Sequence, residues 1–248
     1  MTPALDPTLR ERVYPAKGVH GRIVEQVGQR ILGGALAPGA LLPPEIELAD
    51  QMGSSRTAVR EAIKVLAAKG LITTRQKRGS EVRPAREWNL LDPDVLAWLA
   101  ASGAGPELTL QMIELRRMVE PGAARLAALR HDEAALDEID TALAQMRDAV
   151  PDAIAYYRAD LAFHRGIFAA TGNRFLDRLG ALVGTVLEAS FGLQRRSAVD
   201  YAAGLALHEV VRTKIAARDG EGAARAMEAV IEAARDELIA AGLLDRHA

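Results

Sequence analysis

The stretch LLPPEIELADQMGSSRTAVREAIKVLAAKGLI, residues 41–72, decides how the rest of the chain reads. Pro44 precedes a short helix, Glu45 to about Met52. Gly53-Ser54-Ser55 makes a tight turn, and Ser54 or Ser55 can cap the next helix by accepting a backbone N–H. That second helix runs from about Arg56 to Lys69, with Val59, Ile63 and Leu66 on its buried face and Gly70 as its natural end. Upstream, Val19, Ile23, Val27 and Ile31 fall four residues apart, the period of an amphipathic helix, which Gly33-Gly34 ends. The connector LAPGALLPP (36–44) is rich in turn residues. Downstream, LITTR (71–75) and SEVRP (80–84) are two short β-like runs around the basic tip Gln76-Lys77-Arg78-Gly79.

Helix, short helix, turn, helix and a two-stranded basic ribbon is the order of a winged helix-turn-helix. In that motif the second helix of the pair enters the DNA major groove through its N-terminal residues. Here those are Ser55, Arg56, Thr57 and Arg60. Arg56 and Arg60 are four apart and share a face. Ser55 and Thr57 offer hydroxyls and amides to phosphate. Arg75, Lys77 and Arg78 give the wing a charge suited to the backbone or minor groove. Any one of these arginines alone reads as a solvated charge, and the same fold can also serve protein contact.

The charge distribution agrees with a DNA partner, although the total hides it. The 248 residues carry 31 Lys+Arg and 33 Asp+Glu, a net charge of −2. Residues 1–86 hold 14 basic against 8 acidic groups, a net of +6. The remaining 17 basic and 25 acidic groups give residues 87–248 a net of −8. A basic third can meet phosphate and an acidic remainder avoids it. The chain has no cysteine, which excludes disulfides, thiolate zinc sites and cysteine nucleophiles. No apolar run approaches the roughly 20 residues of a membrane span. The start MTPALDPTLRER lacks a signal-type apolar stretch, so the expected location is the cytoplasm.

Residues 1–18 are polar and aperiodic and read as a flexible arm, with the DNA-binding domain over 19–86. Residues 87–105 read as a linker and first helix, because Asp92 can cap a helix that starts at Pro93. From there the chain reads as helices over 106–130, 133–149, 152–171, 174–193, 199–218 and 220–242, broken at short polar segments. The fold class is therefore mainly α, with the winged helix followed by an all-α antiparallel bundle over 106–248.

These segments resemble a known family. Residues 41–72 with RQKRGSEV (75–82) are similar to the GntR family of bacterial repressors. ELRRMVEPGAARLAA, ADLAFHRGIF, TGNRFL and LHEVVRTKIAARDGEGAARAM are similar to its FadR subfamily, whose FCD effector domain is an all-helical bundle. The resemblance spans roughly 19–240. The block EWNLLDPDVLAWLA (87–100) resembles the linker of sugar-acid regulators of the galactonate-operon type within that subfamily. It implies DNA-contact positions at Arg56, Thr57 and Arg60, and a wing tip at Arg78 and Gly79. Two departures bear on the operator: Ile46 stands where many members have arginine, and Lys77 where many have glycine.

In ADLAFHRG, Asp160 and His164 are four apart and can project to one interior point. Carboxylate and imidazole are ligands for zinc, nickel or manganese, and His208 can close such a site from another helix. The bland alternative is a surface hydrogen bond between Asp160 and His164. The resemblance implies a divalent metal held by one Asp and three His. Asp160, His164 and His208 match three of these, while Val230 stands at the fourth. It also implies that Arg116 grips an effector carboxylate; the alternative is a salt bridge to Glu120, its i+4 neighbour. Asn173 and Arg195 are further effector candidates, although Asn173 can equally be a helix cap.

The expected protein is a homodimeric, ligand-responsive repressor rather than an enzyme. It binds a pseudopalindromic double-stranded operator and is released by a small organic acid, an aldonate being favoured. Two alternatives remain open. One is a metal-dependent enzyme acting on a carboxylate, for which no general base is evident. The other is a fatty-acyl-responsive regulator of the same subfamily, which would prefer an apolar pocket.

Overall fold

The computed structural model describes residues 18–75, 79–102, 106–150, 152–194 and 201–245. The expected arm before Gly18, the wing-tip residues Gln76, Lys77 and Arg78, and also Pro151, Arg195 and His247, lie outside the described residues. Two compact units divide the chain, one within residues 10–104 and one within 105–248. Each is taken by itself.

The N-terminal unit contains α1 (Val19–Leu32), α2 (Glu45–Gln51), α3 (Arg56–Ala68), β1 (Ile72–Arg75), β2 (Gly79–Val82) and α4 (Pro93–Ala101). In α1 the buried stripe is Ile23, Val24, Val27, Gly28 and Ile31, while Val19 on the first turn stays exposed. Val59, Ala62, Ile63 and Leu66 of α3 face the same core. Ser55 caps α3 by accepting from Ala58 N–H at 3.2 Å. The helix ends in a double wrap: Gly70 N–H donates to Ala67 O, and Leu71 N–H donates to Leu66 O, both at 3.0 Å. That geometry requires a left-handed residue, and Gly70 has φ +77°. β1 and β2 pair antiparallel with Ile72 opposite Val82 and Arg75 opposite Gly79. The run at 39–42 lines β2's other edge, through Leu42 N–H to Ser80 O at 2.8 Å and Val82 N–H to Ala40 O at 2.9 Å.

The segment 87–105, expected as linker and first helix, contributes directly to this unit. Asp92 caps α4, its Oδ1 accepting from the N–H groups of Asp94 at 2.9 Å and Val95 at 3.2 Å. Val95 and Trp98 then join the core built by α1 and α3. The Trp98 ring lies flush against Gly28. A Cβ at Gly28 would sit 2.5 Å from Trp98 Cε3.

The C-terminal unit is a bundle of α5 (Pro106–Arg130), α6 (Glu133–Asp148), α7 (Ala153–Ala170), α8 (Arg174–Gln194), α9 (Tyr201–Ala216) and α10 (Gly220–Ala240). Aspartates open three of these helices: Asp132, Asp152 and Asp219 each accept backbone N–H groups of the first turn. α5 packs on α10, α6 on α7, α7 on α8 and α9 on α10. α7 is the central helix. It buries Tyr156, Tyr157, Phe163, Ile167 and Phe168 on a wide face and leaves a stripe of Ile154, Arg158, Ala162, Arg165 and Ala169 exposed, the pattern of an amphipathic helix. Gly180 of α8 lets Phe168 approach; a Cβ there would meet it at 2.7 Å. Among the described residues no helix is long and apolar enough to cross a membrane.

Gly28→Ala is expected to lower the stability of the N-terminal unit by about 1–3 kcal/mol, the range for overpacking a core. Urea unfolding followed by circular dichroism measures this, and a smaller cost of Gly28→Ala in a Trp98→Leu background than in the wild type assigns it to the ring.

Candidate functional site

The N-terminus of α3 presents Arg56 and Thr57 to solvent. Arg60, one turn on, is exposed but already engaged. Its Nη2 donates to Glu45 Oε2 at 2.8 Å, and its Nε lies 3.2 Å from both Glu45 oxygens. The hydrogen bond from Arg60 holds the Glu45 carboxyl below its ordinary value. Glu45 belongs to α2, so the pair also ties the two helices of the motif. Ser55 uses its hydroxyl oxygen as the α3 cap. Arg75 is exposed at the end of β1, and Gly79 opens β2 at φ +86°.

The bundle gathers a second group of polar side chains around α7. Arg116 and Glu120 of α5 are buried, with side chains 3% and 1% exposed, and Arg116 Nε donates to Glu120 Oε1 at 2.6 Å. This is the i+4 salt bridge weighed as the alternative role for Arg116. The other Glu120 oxygen lies 2.8 Å from His164 Nδ1. On the far edge of the same ring, His164 Nε2 is 3.8 Å from Asp160 Oδ1. His208 of α9 brings its Nε2 to 2.9 Å from that oxygen, while its Nδ1 meets Gly204 O at 2.7 Å. The imidazole rings stand 5.5 Å apart and almost perpendicular, at 89°. Asp160, His164 and His208 are thus not a surface pair plus a bystander: three helices bring Arg116, Asp160, His164 and His208 into one interior cluster. A groove lined by Arg158, Leu161, Ala162 and Arg165 lies on the opposite face of α7, by helical periodicity.

Burial alone would raise both carboxyls, because low dielectric disfavours charge. For Asp160 the contact with His208 and the neighbouring His164 and Arg116 outweigh burial and hold it at about 2. For Glu120 the charges of Arg116 and His164 do the same, again to about 2. Burial pushes His208 down, but Asp160 and the Gly204 carbonyl more than offset this and raise it. Burial also pushes the Tyr157 hydroxyl well above its ordinary value, with Glu188 and Asp160 adding to the effect.

The donor set fits a cation. One ligand atom from each of Asp160, His164 and His208 lies within 4.8 Å of the others. Although the distances between groups are short, the ring N–H directions are not aimed along them: both nitrogens of His164 and Nε2 of His208 are buried without a well-directed hydrogen bond. The Nδ1 atoms face Glu120 and a backbone carbonyl, as outer partners of metal-binding histidines commonly do. Two imidazoles and a carboxylate leave a fourth tetrahedral position open. Val230, at the fourth expected position, is buried in the apolar core.

Asn173 follows the end of α7, and its Oδ1 accepts from Phe175 N–H at 2.9 Å, the capping role weighed as its alternative. Arg195 and the wing residues Lys77 and Arg78 lie outside the described residues. Glu120, Tyr157 and Glu188 were not among the expected site residues. Only Glu120 had a signal, its i+4 spacing from Arg116; Tyr157 and Glu188 read as ordinary helix residues until α7 and α8 pack together.

Residues 20–82 match the model of bacterial regulatory proteins of the gntR family, and residues 111–233 match the FCD domain. The galactonate operon transcriptional repressor of Escherichia coli K12 is 36% identical over 170 residues, 68% of this chain and 74% of that protein. The HTH-type transcriptional regulator YieP of the same organism is 32% identical over 228 residues, 91% of this chain and 97% of that one. The chain belongs to the GntR family. It is a regulator of the GntR type, with an N-terminal helix-turn-helix domain and a helical FCD domain. These relatives are transcriptional regulators and not enzymes, which sets the metal-enzyme alternative aside. The solved structure of Lar, which controls the expression of the Listeria monocytogenes agr system, shares the fold. It has a TM-score of 0.67 at 16% identity, covering 90% of this chain and 98% of that one.

Arg56→Ala is expected to weaken operator binding by about 1–3 kcal/mol, the worth of one good base contact; fluorescence anisotropy at fixed salt reads it. The bundle's stability is also expected to depend on pH once metal is removed by chelator. Glu120 and Asp160 have folded values near 2 against ordinary values of 4.5 and 3.8. Their contribution is complete above about 4.5 and is lost as pH falls toward 2. His208 is raised above 6.5, so its contribution is complete below that value and is lost as pH rises through the raised one. The chelated bundle is therefore expected to be most stable between these limits in urea titrations. Glu120→Gln should flatten the acid limb.

Proposed function

We propose that this GntR-family regulator is a cytoplasmic repressor released from its operator by a small organic acid of the aldonate class. Two copies present their recognition helices to half-sites of a pseudopalindrome. Ser55, Arg56, Thr57 and Arg60 meet the major groove and its phosphates, while Arg75, Lys77, Arg78 and Gly79 serve the wing. DNA reading belongs to residues 19–86, and residues 106–248 supply the effector site and the dimer interface.

The observation that carries this reading is the charged cluster enclosed by the bundle. Arg116, Glu120, Asp160, His164 and His208 are mostly buried, and a purely structural core would be cheaper to build from methyl groups. Such an interior suits an anionic, hydroxylated ligand and not an acyl chain. Two further supports come from likeness: the repressor that is 36% identical controls a galactonate operon, and the 87–100 block matches sugar-acid regulators.

Asp160, His164 and His208 would hold a divalent cation, zinc, nickel or manganese. When bound, the ion supplies a positive centre that can take a carboxylate or hydroxyl oxygen of the acid. Glu120 and the Gly204 carbonyl fix the two rings so that both Nε2 atoms face Asp160. Arg116 supplies planar donors for the ligand carboxylate. For release, the acid must bind the DNA-incompetent form more tightly than the competent one.

The test is calorimetry of the chelated protein with Zn2+, then with galactonate, gluconate and lactate, followed by operator anisotropy with each acid. Stoichiometric metal binding and acid-induced release support the reading; operator affinity indifferent to every acid removes it. Arg116→Lys keeps a cation beside Glu120 but loses the fork. It is expected to retain metal and operator binding while losing at least about tenfold in acid affinity, or ~1.4 kcal/mol. Loss of operator binding as well would make Arg116 structural.

A further inference from the structure

A second buried charge cluster lies in the N-terminal unit, at the opposite end of the recognition helix from Arg56. Lys69 follows the last residue of α3, and its side chain is only 6% exposed. Its ammonium donates to Asp92 Oδ1 and Oδ2, both at 2.9 Å, and to Asp94 Oδ2 at 2.7 Å. It also stands 5.8 Å from the centroid of the Trp98 ring. Asp92 is the cap of α4, Asp94 lies in its first turn, and Trp98 is one turn further on. These three partners of the ammonium come from the cap and the first two turns of α4.

The rest of α4 and its approach are fastened to the same unit. Trp98 lies on Gly28 of α1. The Trp88 indole N–H donates to Arg83 O at 3.0 Å. Asn89 Cβ lies 3.5 Å from where a side chain at Gly70 would begin. Burial would lower Lys69, but Asp94 and Asp92 outweigh it and keep it charged.

Buried ion clusters are poor stabilisers compared with apolar residues of the same size. What they add is direction, because three hydrogen bonds from one nitrogen hold only in one arrangement of α3 and α4. A helix of 13 residues spans about 20 Å. It carries a displacement at Lys69 to its other end, where the operator is read.

We propose that Lys69, Asp92 and Asp94 are positioning residues for the recognition helix: they lock its C-terminal end to α4, so that α4 moves as part of the DNA-reading head and operator binding restrains it. None of the three touches DNA. α4 responds to DNA because it is tied to α3.

Hydrogen exchange on the full chain tests this, with and without a duplex selected by the protein from a randomised pool. In the wild type, DNA is expected to slow exchange in both α3 and α4. The variant Lys69→Met, Asp92→Asn, Asp94→Asn removes all three charges together and leaves none unpaired. Asparagine at 92 keeps the α4 cap. In that variant α3 should still slow on DNA, while α4 should lose at least half of its DNA-induced slowing. Equal slowing of α4 in wild type and variant, or no slowing of α4 in the wild type, overturns the proposal. If the triple variant does not fold, Asp94→Asn alone decides, with an intermediate loss confined to α4 expected and an unchanged profile counting against it. A purely structural role would lower the unfolding midpoint and leave the DNA-induced slowing of α4 intact.

Discussion

A carboxylate with no access to water holds the helical domain's interior together. Glu120 accepts from Arg116 at 2.6 Å on one oxygen and faces His164 at 2.8 Å on the other. Desolvating a charge costs several kcal/mol unless it is paired, so each of these groups needs the others. The chain of contacts continues from His164 to Asp160 and on to His208, which ends on a backbone carbonyl. α5, α7 and α9 must take up their positions for the charges to be matched. In a GntR-family regulator with an FCD domain, this makes the proposed effector site and the packing of the bundle one problem.

The DNA-reading unit handles charge differently. Arg56, Arg60 and Arg75 are exposed, where water screens them and where, in the proposed reading, phosphate would displace it. The Arg60–Glu45 pair is largely exposed, which suits a side chain that in the proposed reading turns to DNA. Lys69 is the contrast: buried, triply bonded and directed at one helix. The unit thus keeps exposed charges at the N-terminal end of α3 and a buried one at the other.

Much of this was legible in residue patterns. The four-residue recurrence in α1, the cap at Ser55, the left-handed end at Gly70 and the Asp-capped start of α4 are all local. Each depends on a side chain meeting its own backbone within a few residues, so the helices lie within about two residues of where the sequence places them. The i,i+4 pairs Arg116–Glu120 and Asp160–His164 were legible for the same reason. Asn173 shows the limit: a residue type that suits both a cap and a ligand contact does not say which, and its hydrogen bond to Phe175 N–H appears only in the folded chain. The segment 87–105 shows another. Its helix was readable from Asp92 and Pro93, but not that Trp98 would seat on Gly28, since nothing in a glycine records what approaches it.

The sequence by itself determined the order of elements, the winged helix-turn-helix, the all-helical remainder and the split of a −2 net charge into +6 and −8. Those come from backbone propensity, capping and periodicity, whose range is one helical turn. Tertiary structure alone decided that Glu120 meets His164 of another helix, that His208 reaches Asp160 from another helix, and that Lys69 faces two aspartates 23 and 25 residues away. Such partners are chosen by the need to match charge wherever water is excluded, and which surfaces lose their water is settled only when the helices pack.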